Sequence, residues 1–138
     1  MSSRAEQVDS LAEAVSVFTR TIGGQQIGAE GAAVIVSDGE RSSFYVFFKR
    51  TWFRSYQNQF PQERGKGYGQ SVSLNILKKA TSKSATIIIV LPDGKIYSLP
   101  AQNWLEYAET HRTIRRARDG DITASVPANL LQRWSGRE

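Results

Sequence analysis

The residues best suited to chemistry run from Phe44 to Tyr56, Phe-Tyr-Val-Phe-Phe-Lys-Arg-Thr-Trp-Phe-Arg-Ser-Tyr. Seven of these thirteen are aromatic, three are basic (Lys49, Arg50, Arg54) and none is acidic. Aromatic and β-branched residues favour extended backbone, so the stretch predicts a long strand. Alternate side chains of a strand point to opposite faces. One face then carries Phe44, Val46, Phe48, Arg50, Trp52, Arg54 and Tyr56, and the other Tyr45, Phe47, Lys49, Thr51 and Phe53. A sheet with a single buried face needs only one apolar set. Here the second face is aromatic as well, with a lysine among the rings. Rings interleaved with cations suit a single-stranded nucleic acid, whose bases stack on the rings while its phosphates meet the cations. The plainer reading is a strand buried on both faces. A bulge near Arg50 would exchange the faces halfway along and bring Trp52 and Tyr56 to the side of Phe47.

Charge placement extends the argument. The net charge is +5, but residues 41–83 hold nine basic side chains against one acid, Glu63, a local net of +8. Such asymmetry points to a polyanionic partner, or more plainly to a soluble basic surface. After Tyr56, residues 57–70 bring three glycines that alternate with Lys66 and Tyr68, with Pro61 breaking regular pairing. Arg64, Lys66 and Tyr68 on such a loop could follow a phosphate backbone, although the spacing matches neither a P-loop nor a dinucleotide fingerprint. The expected binding set is therefore Tyr45, Phe47, Lys49, Arg50, Trp52, Phe53, Arg54, Tyr56, Arg64, Lys66 and Tyr68.

These residues need a frame. Val8, Leu11, Val15, Phe18 and Ile22 make an apolar stripe on a helix over about 4–21, stopped by Gly23-Gly24. Residues 25–31 read as a connection with room for a short edge strand. Residues 32–36 and the strand from Ser43 read as a hairpin around Asp38-Gly39. Ser71 predicts the cap of a short helix carrying Val72, Ile76, Leu77 and Ala80 inward. Residues 86–91 and 95–98 flank Pro92-Asp93-Gly94 as a second hairpin, and a helix follows over 101–118, ending in Arg112, Arg115, Arg116 and Arg118. Residues 122–126 read as a short extended stretch, and Pro127 opens a last helical turn with Leu130, Leu131 and Trp134 on the core. The two hairpins most simply join into one four-stranded, mostly antiparallel sheet with helices on one side. This is an α+β chain of one domain, 1–138, with one sheet face partly open and no OB-fold.

Several classes fall away. There is no cysteine, hence no disulfide, thiolate metal site or cysteine nucleophile. The longest apolar run, 86–91, fits a buried strand rather than a membrane span, and residues 1–6 carry no secretory core, so a cytoplasmic chain is expected. The single Met and the excess of Arg over Lys lean toward a thermophile. One histidine, His111, supports neither a catalytic triad nor a metal site. The element order loosely resembles restriction-endonuclease-like folds, which hold a metal with carboxylates ending in acid-x-lysine on the second hairpin strand. Asp38 and Glu40 lie at the turn and Lys49 on that strand, but the residue two before Lys49 is Phe47. The expectation is a chain that is not an enzyme and carries no cofactor.

The aromatic-basic strand, the Pro92-Asp-Gly hairpin before Ile96-Tyr-Ser-Leu-Pro-Ala101, and the small, basic, cysteine-free chain together resemble the archaeal ThermoDBP family and its relatives. That resemblance implies a compact sheet-and-helix domain without an OB-fold, an aromatic cleft edged with cations, and assembly into dimers or tetramers. The expected ligand is single-stranded DNA bound with low sequence specificity, with RNA as an open possibility. The alternative is a non-catalytic nuclease-like or RNA-binding assembly module with a basic face.

Overall fold

The computed structural model describes residues 7–39, 42–52 and 69–134. Helix α1, Leu11–Ile22, begins where Ser10 accepts a hydrogen bond from the Glu13 amide at 3.2 Å, satisfying one of the donors a helix start leaves free. It ends at Gly23, whose φ of 67° is the left-handed cap. Strands β1 (Gln25–Glu30), β2 (Ala33–Ser37) and β3 (Ser43–Phe48) form an antiparallel meander. The turn between β1 and β2 uses Gly31, at φ 57°, where an added Cβ would also lie 2.9 Å from the Ile76 side chain.

Strand β4 (Gly69–Ser73) leads into helix α2 (Leu74–Ser82), and α2 into β5 (Thr86–Val90). β5 lies parallel to β3 in the register Phe44↔Thr86 to Phe48↔Val90. β6 (Ile96–Pro100) returns antiparallel to β5, and helix α3 (Ala101–Thr110) follows directly. Strands β7 (Ile114–Arg116) and β8 (Ile122–Pro127) form a hairpin, a 3-10 turn spans Ala128–Leu130, and β9 (Gln132–Arg133) pairs with β6.

The chain is thus α+β with two sheets, a larger one in the order β1-β2-β3-β5-β6-β9 and a smaller one in the order β4-β8-β7. The two expected hairpins do join, through the parallel β3–β5 pair, but the sheet has six strands rather than four. A two-residue strand, β9, leaves too short a pattern to read. The second sheet was missed because β4 sits where a loop and cap were expected, and because α3 stops at Thr110 instead of running to Arg118. The stop is enforced by Arg112 in left-handed backbone, φ 58°, and by buried Thr113, whose hydroxyl donates to Ser125 O on β8. Pairing of β7 with β8 overrides the local helical pattern.

Both faces of the central strands β2, β3 and β5 are covered, which corrects the expected open face. On one side α1 buries Ala14, Val15 and Phe18 against Val36, Phe44, Val46, Ile88 and Val90. Phe18, Phe44 and Trp134 meet there with ring centroids 5.1–5.8 Å apart. On the other side α2, α3 and the inner face of the smaller sheet cover Ile35, Tyr45, Phe47, Ile87 and Ile89. Trp104, fully buried on α3, donates its indole N–H to Ala124 O at 3.0 Å and so ties α3 to β8. At the periphery Lys79 on α2 pairs with Glu30 on β1 at 2.7 Å, which holds the Glu30 carboxyl below its ordinary range.

Candidate functional site

Backbone pairing sets the geometry. Phe47 pairs with Ile89, Ile89 with Tyr97, and Tyr97 with Arg133, giving one row across β3, β5, β6 and β9. At the usual strand spacing this row is about 14 Å long. Lys49 lies just past the end of β3, where its amide still donates to Val90 O at 3.0 Å. The chain then bends, and the face alternation is lost: Trp52 lies on the side of Phe47 rather than of Phe48. Its ring meets Tyr97 edge-on, centroids 5.3 Å apart at 76°. The Arg133 guanidinium lies 5.8 Å from the Tyr97 ring centre, and Lys49 Nζ lies 5.6 Å from that of Phe47. Two half-buried rings therefore stand between two cations at the carboxyl ends of the parallel strands, the end of such sheets where ligands gather.

Gln70 holds this corner. It is fully buried on β4, and its amide Nε2 donates to Thr51 O at 3.0 Å, fixing the backbone that presents Trp52. Its Oε1 is buried without a hydrogen-bond partner. Lys49 is partly buried, and desolvation pushes its ammonium below the usual lysine range.

Of the expected binding residues, Lys49 and Trp52 belong to this corner. Arg50 points to the α1 side, its guanidinium 5.1 Å from the Phe48 ring centre and donating to Asp9 O at 3.1 Å. Tyr45 and Phe47 are corrected: they are 0% and 2% exposed, under α2 and α3, and offer no ring to a base. Lys83 approaches the Tyr45 ring at 5.9 Å. Phe53, Arg54, Tyr56, Arg64, Lys66 and Tyr68 lie outside the described residues. Sequence reasoning missed Tyr97, Arg133 and Gln70. The alternation of Ile96-Tyr97-Ser98-Leu99 gave the strand but not its neighbour, and Arg133 enters only through the short β9. Among the described residues, no three His, Asp or Glu side chains are placed to share a metal ion, and no helix is long and apolar enough to cross a membrane.

No family model and no curated protein matches the sequence. Among solved structures, the chain is similar to Hjc, a Holliday junction resolvase from the archaeal hyperthermophile Archaeoglobus fulgidus. Identity is 12%, the similarity covers 87% of this chain and 83% of that one, and the TM-score is 0.45. The expectation of a chain that is not an enzyme does not stand beside a resolvase and is withdrawn. At this score and identity the likeness assigns no activity, and the site is read from its own geometry.

Proposed function

We propose that the chain binds single-stranded nucleic acid with low sequence specificity, at the corner formed by Lys49, Trp52, Tyr97 and Arg133. The observation that carries the reading is the half-buried Trp52–Tyr97 pair, 5.3 Å apart, with Arg133 over Tyr97 and Lys49 at the far end of the same face. Every base has a π-face, so stacking on such rings tolerates any sequence, while the flanking cations meet consecutive phosphates. A duplex keeps its bases stacked inside and cannot use the rings. The chemistry is common to single-stranded DNA and RNA, and DNA is the ligand that the ThermoDBP resemblance implies.

Fluorescence anisotropy with one labelled oligonucleotide, alone and annealed to its complement, tests the reading. The single strand binds more tightly, and Trp52→Ala weakens it by about 1–3 kcal/mol, the value of a base–aromatic stack. Equal affinity for the duplex, or an unaltered isotherm for a folded Trp52→Ala protein, would remove the corner as the site.

A further inference from the structure

The molecule has a partly open sheet face, though not on β3. In the smaller sheet, Val72 on β4 and Ala124 and Val126 on β8 are buried against α2 and α3. The alternate residues therefore point away from the core. They are Ser71 and Ser73 on β4, Thr123 and Ser125 on β8, and Arg115 on β7. The register aligns them: Ser71↔Ser125, Ser73↔Thr123, Arg115↔Thr123. Hydroxyls opposite one another across strands stand about 5 Å apart, and those two residues apart along a strand about 6.7 Å. All four hydroxyl residues are half-buried. The Thr123 hydroxyl reaches Arg115 O at 3.4 Å, a long bond that an incoming phosphate oxygen can replace. Gly69 and Pro127, both buried, close one end of this face, and among the described residues of the three strands the rest of it is a flat lattice of hydroxyls with no aromatic or long aliphatic side chain.

Among the described residues, the charge around this lattice is mostly positive. None of β4, β7 and β8 contains an acidic residue. Arg115 on β7 belongs to this face, its neighbour Arg116 takes the other face and donates to Gly120 O at 3.1 Å, and Arg112 and Arg118 flank the strand in sequence. The two nearby carboxylates are turned onto their own backbone: Asp119 accepts from the Asp121 amide at 3.0 Å, and Asp121 from the Ile122 amide at 2.9 Å. Hydroxyl and arginine donors without rings or apolar anchors match phosphate and sugar oxygens, which position a nucleic acid without reading it. We propose that this face is a second contact surface, for the sugar–phosphate backbone of the same nucleic acid that occupies the Trp52 corner. The inference rests on the nucleic-acid reading above and extends it to the opposite layer of the molecule.

The experiment uses the full chain and two labelled thymidine oligonucleotides, one of about five and one of about twenty-five nucleotides, near the lower end and beyond the upper end of the usual span of one single-strand-binding domain. The variant is Thr123→Glu with Ser125→Glu and Arg115→Gln. Wild type should bind the long strand more tightly and with a steeper dependence on salt. The variant should lose about tenfold or more in affinity for the long strand, with a log–log salt slope shallower by roughly 0.7 for each phosphate it no longer neutralises. Its affinity for the short strand, held at the corner, should not change. Unchanged long-strand affinity and slope overturn the second surface and leave the corner standing. Weakened binding of both strands together keeps the sheet face and removes the corner. Failure of wild type to bind either strand overturns both. Amide shifts of the wild-type protein titrated with the long strand give a readout that does not depend on the variant folding. Perturbation at Ser71, Ser73, Thr123 and Ser125 supports the surface, and its confinement to residues near Trp52 overturns it.

Discussion

Strand β3 and the outer face of the smaller sheet are near opposites. β3 reads Ser-Phe-Tyr-Val-Phe-Phe, holds four aromatic residues, and is buried on both sides. β4 reads Gly-Gln-Ser-Val-Ser, holds none, and presents hydroxyls on one side and Gln70 and Val72 on the other. Ring density on β3 reports position in the sheet rather than contact with a ligand. A strand paired in parallel at the centre of a sheet is covered on both faces and reads as a continuous apolar run, and its neighbour β5, Thr-Ile-Ile-Ile-Val, reads the same way. The rings proposed to meet a ligand are instead Trp52, just beyond the end of β3, and Tyr97 on β6, both only half-buried.

The largest expected effect breaks or keeps that contrast directly. Phe47→Ala and Phe44→Ala should each cost roughly 3–5 kcal/mol of folding stability, because each leaves a ring-sized cavity in a covered face. Phe44 lies 7% exposed under α1 and Phe47 2% exposed under α2 and α3, so neither should be spared. Urea unfolding of both variants measures this. A mild Phe47→Ala beside a severe Phe44→Ala would mean that the α2–α3 face is open after all.

Much of the frame was legible in the sequence. The α1 stripe from Leu11 to Ile22, the Gly23 stop, both hairpins and the Pro92-Asp93-Gly94 turn depend on spacing and turn chemistry, which are local; the helix starts at Leu11 rather than near residue 4, and Val8 packs on the core from outside it. What was not legible depends on neighbours. Whether the second face of β3 is covered depends on α2, α3 and β8, which arrive from residues 72–126. Residues 114–116 look helical beside Ala101–Thr110 and become a strand only because β8 offers pairing. Of the candidate corner, Lys49 and Trp52 were visible as a cation and a ring. Tyr97 and Arg133 joined them only through registers that no single segment encodes.

Lys49 gives an intermediate effect with a definite sign. Burial lowers its folded pKa below the ordinary 10.5, so the unfolded chain binds the proton more readily. Stability therefore rises with pH between the folded value and 10.5, and at neutral pH the charged lysine weakens the fold. Lys49→Met should raise stability at neutral pH, remove that rise in alkaline solution, and weaken binding of a single strand. Melts from neutral pH to just above the ordinary lysine range, for both proteins, decide it. A Lys49→Met protein less stable than wild type at neutral pH would mean that the ammonium has a stabilising partner.

The smallest effect completes the contrast within one strand. Ser71 and Val72 are sequence neighbours on β4, yet one faces outward and is half-buried while the other is 2% exposed in the core. Val72→Ala removes two buried methyl groups and should cost at least about 1.6 kcal/mol, before any cavity is counted. Ser71→Ala and Ser125→Ala, on the outer face, should stay within about 0.5 kcal/mol of wild type, as surface substitutions away from caps and networks do. Because the two serines are cross-strand partners, the double variant also tests whether the face is used internally. Stabilities that add show two hydroxyls pointing to solvent. Two costly single variants whose double costs well short of their sum in urea unfolding would show that the hydroxyls bond each other and hold the sheet together, and the face would then have no donors left for a ligand.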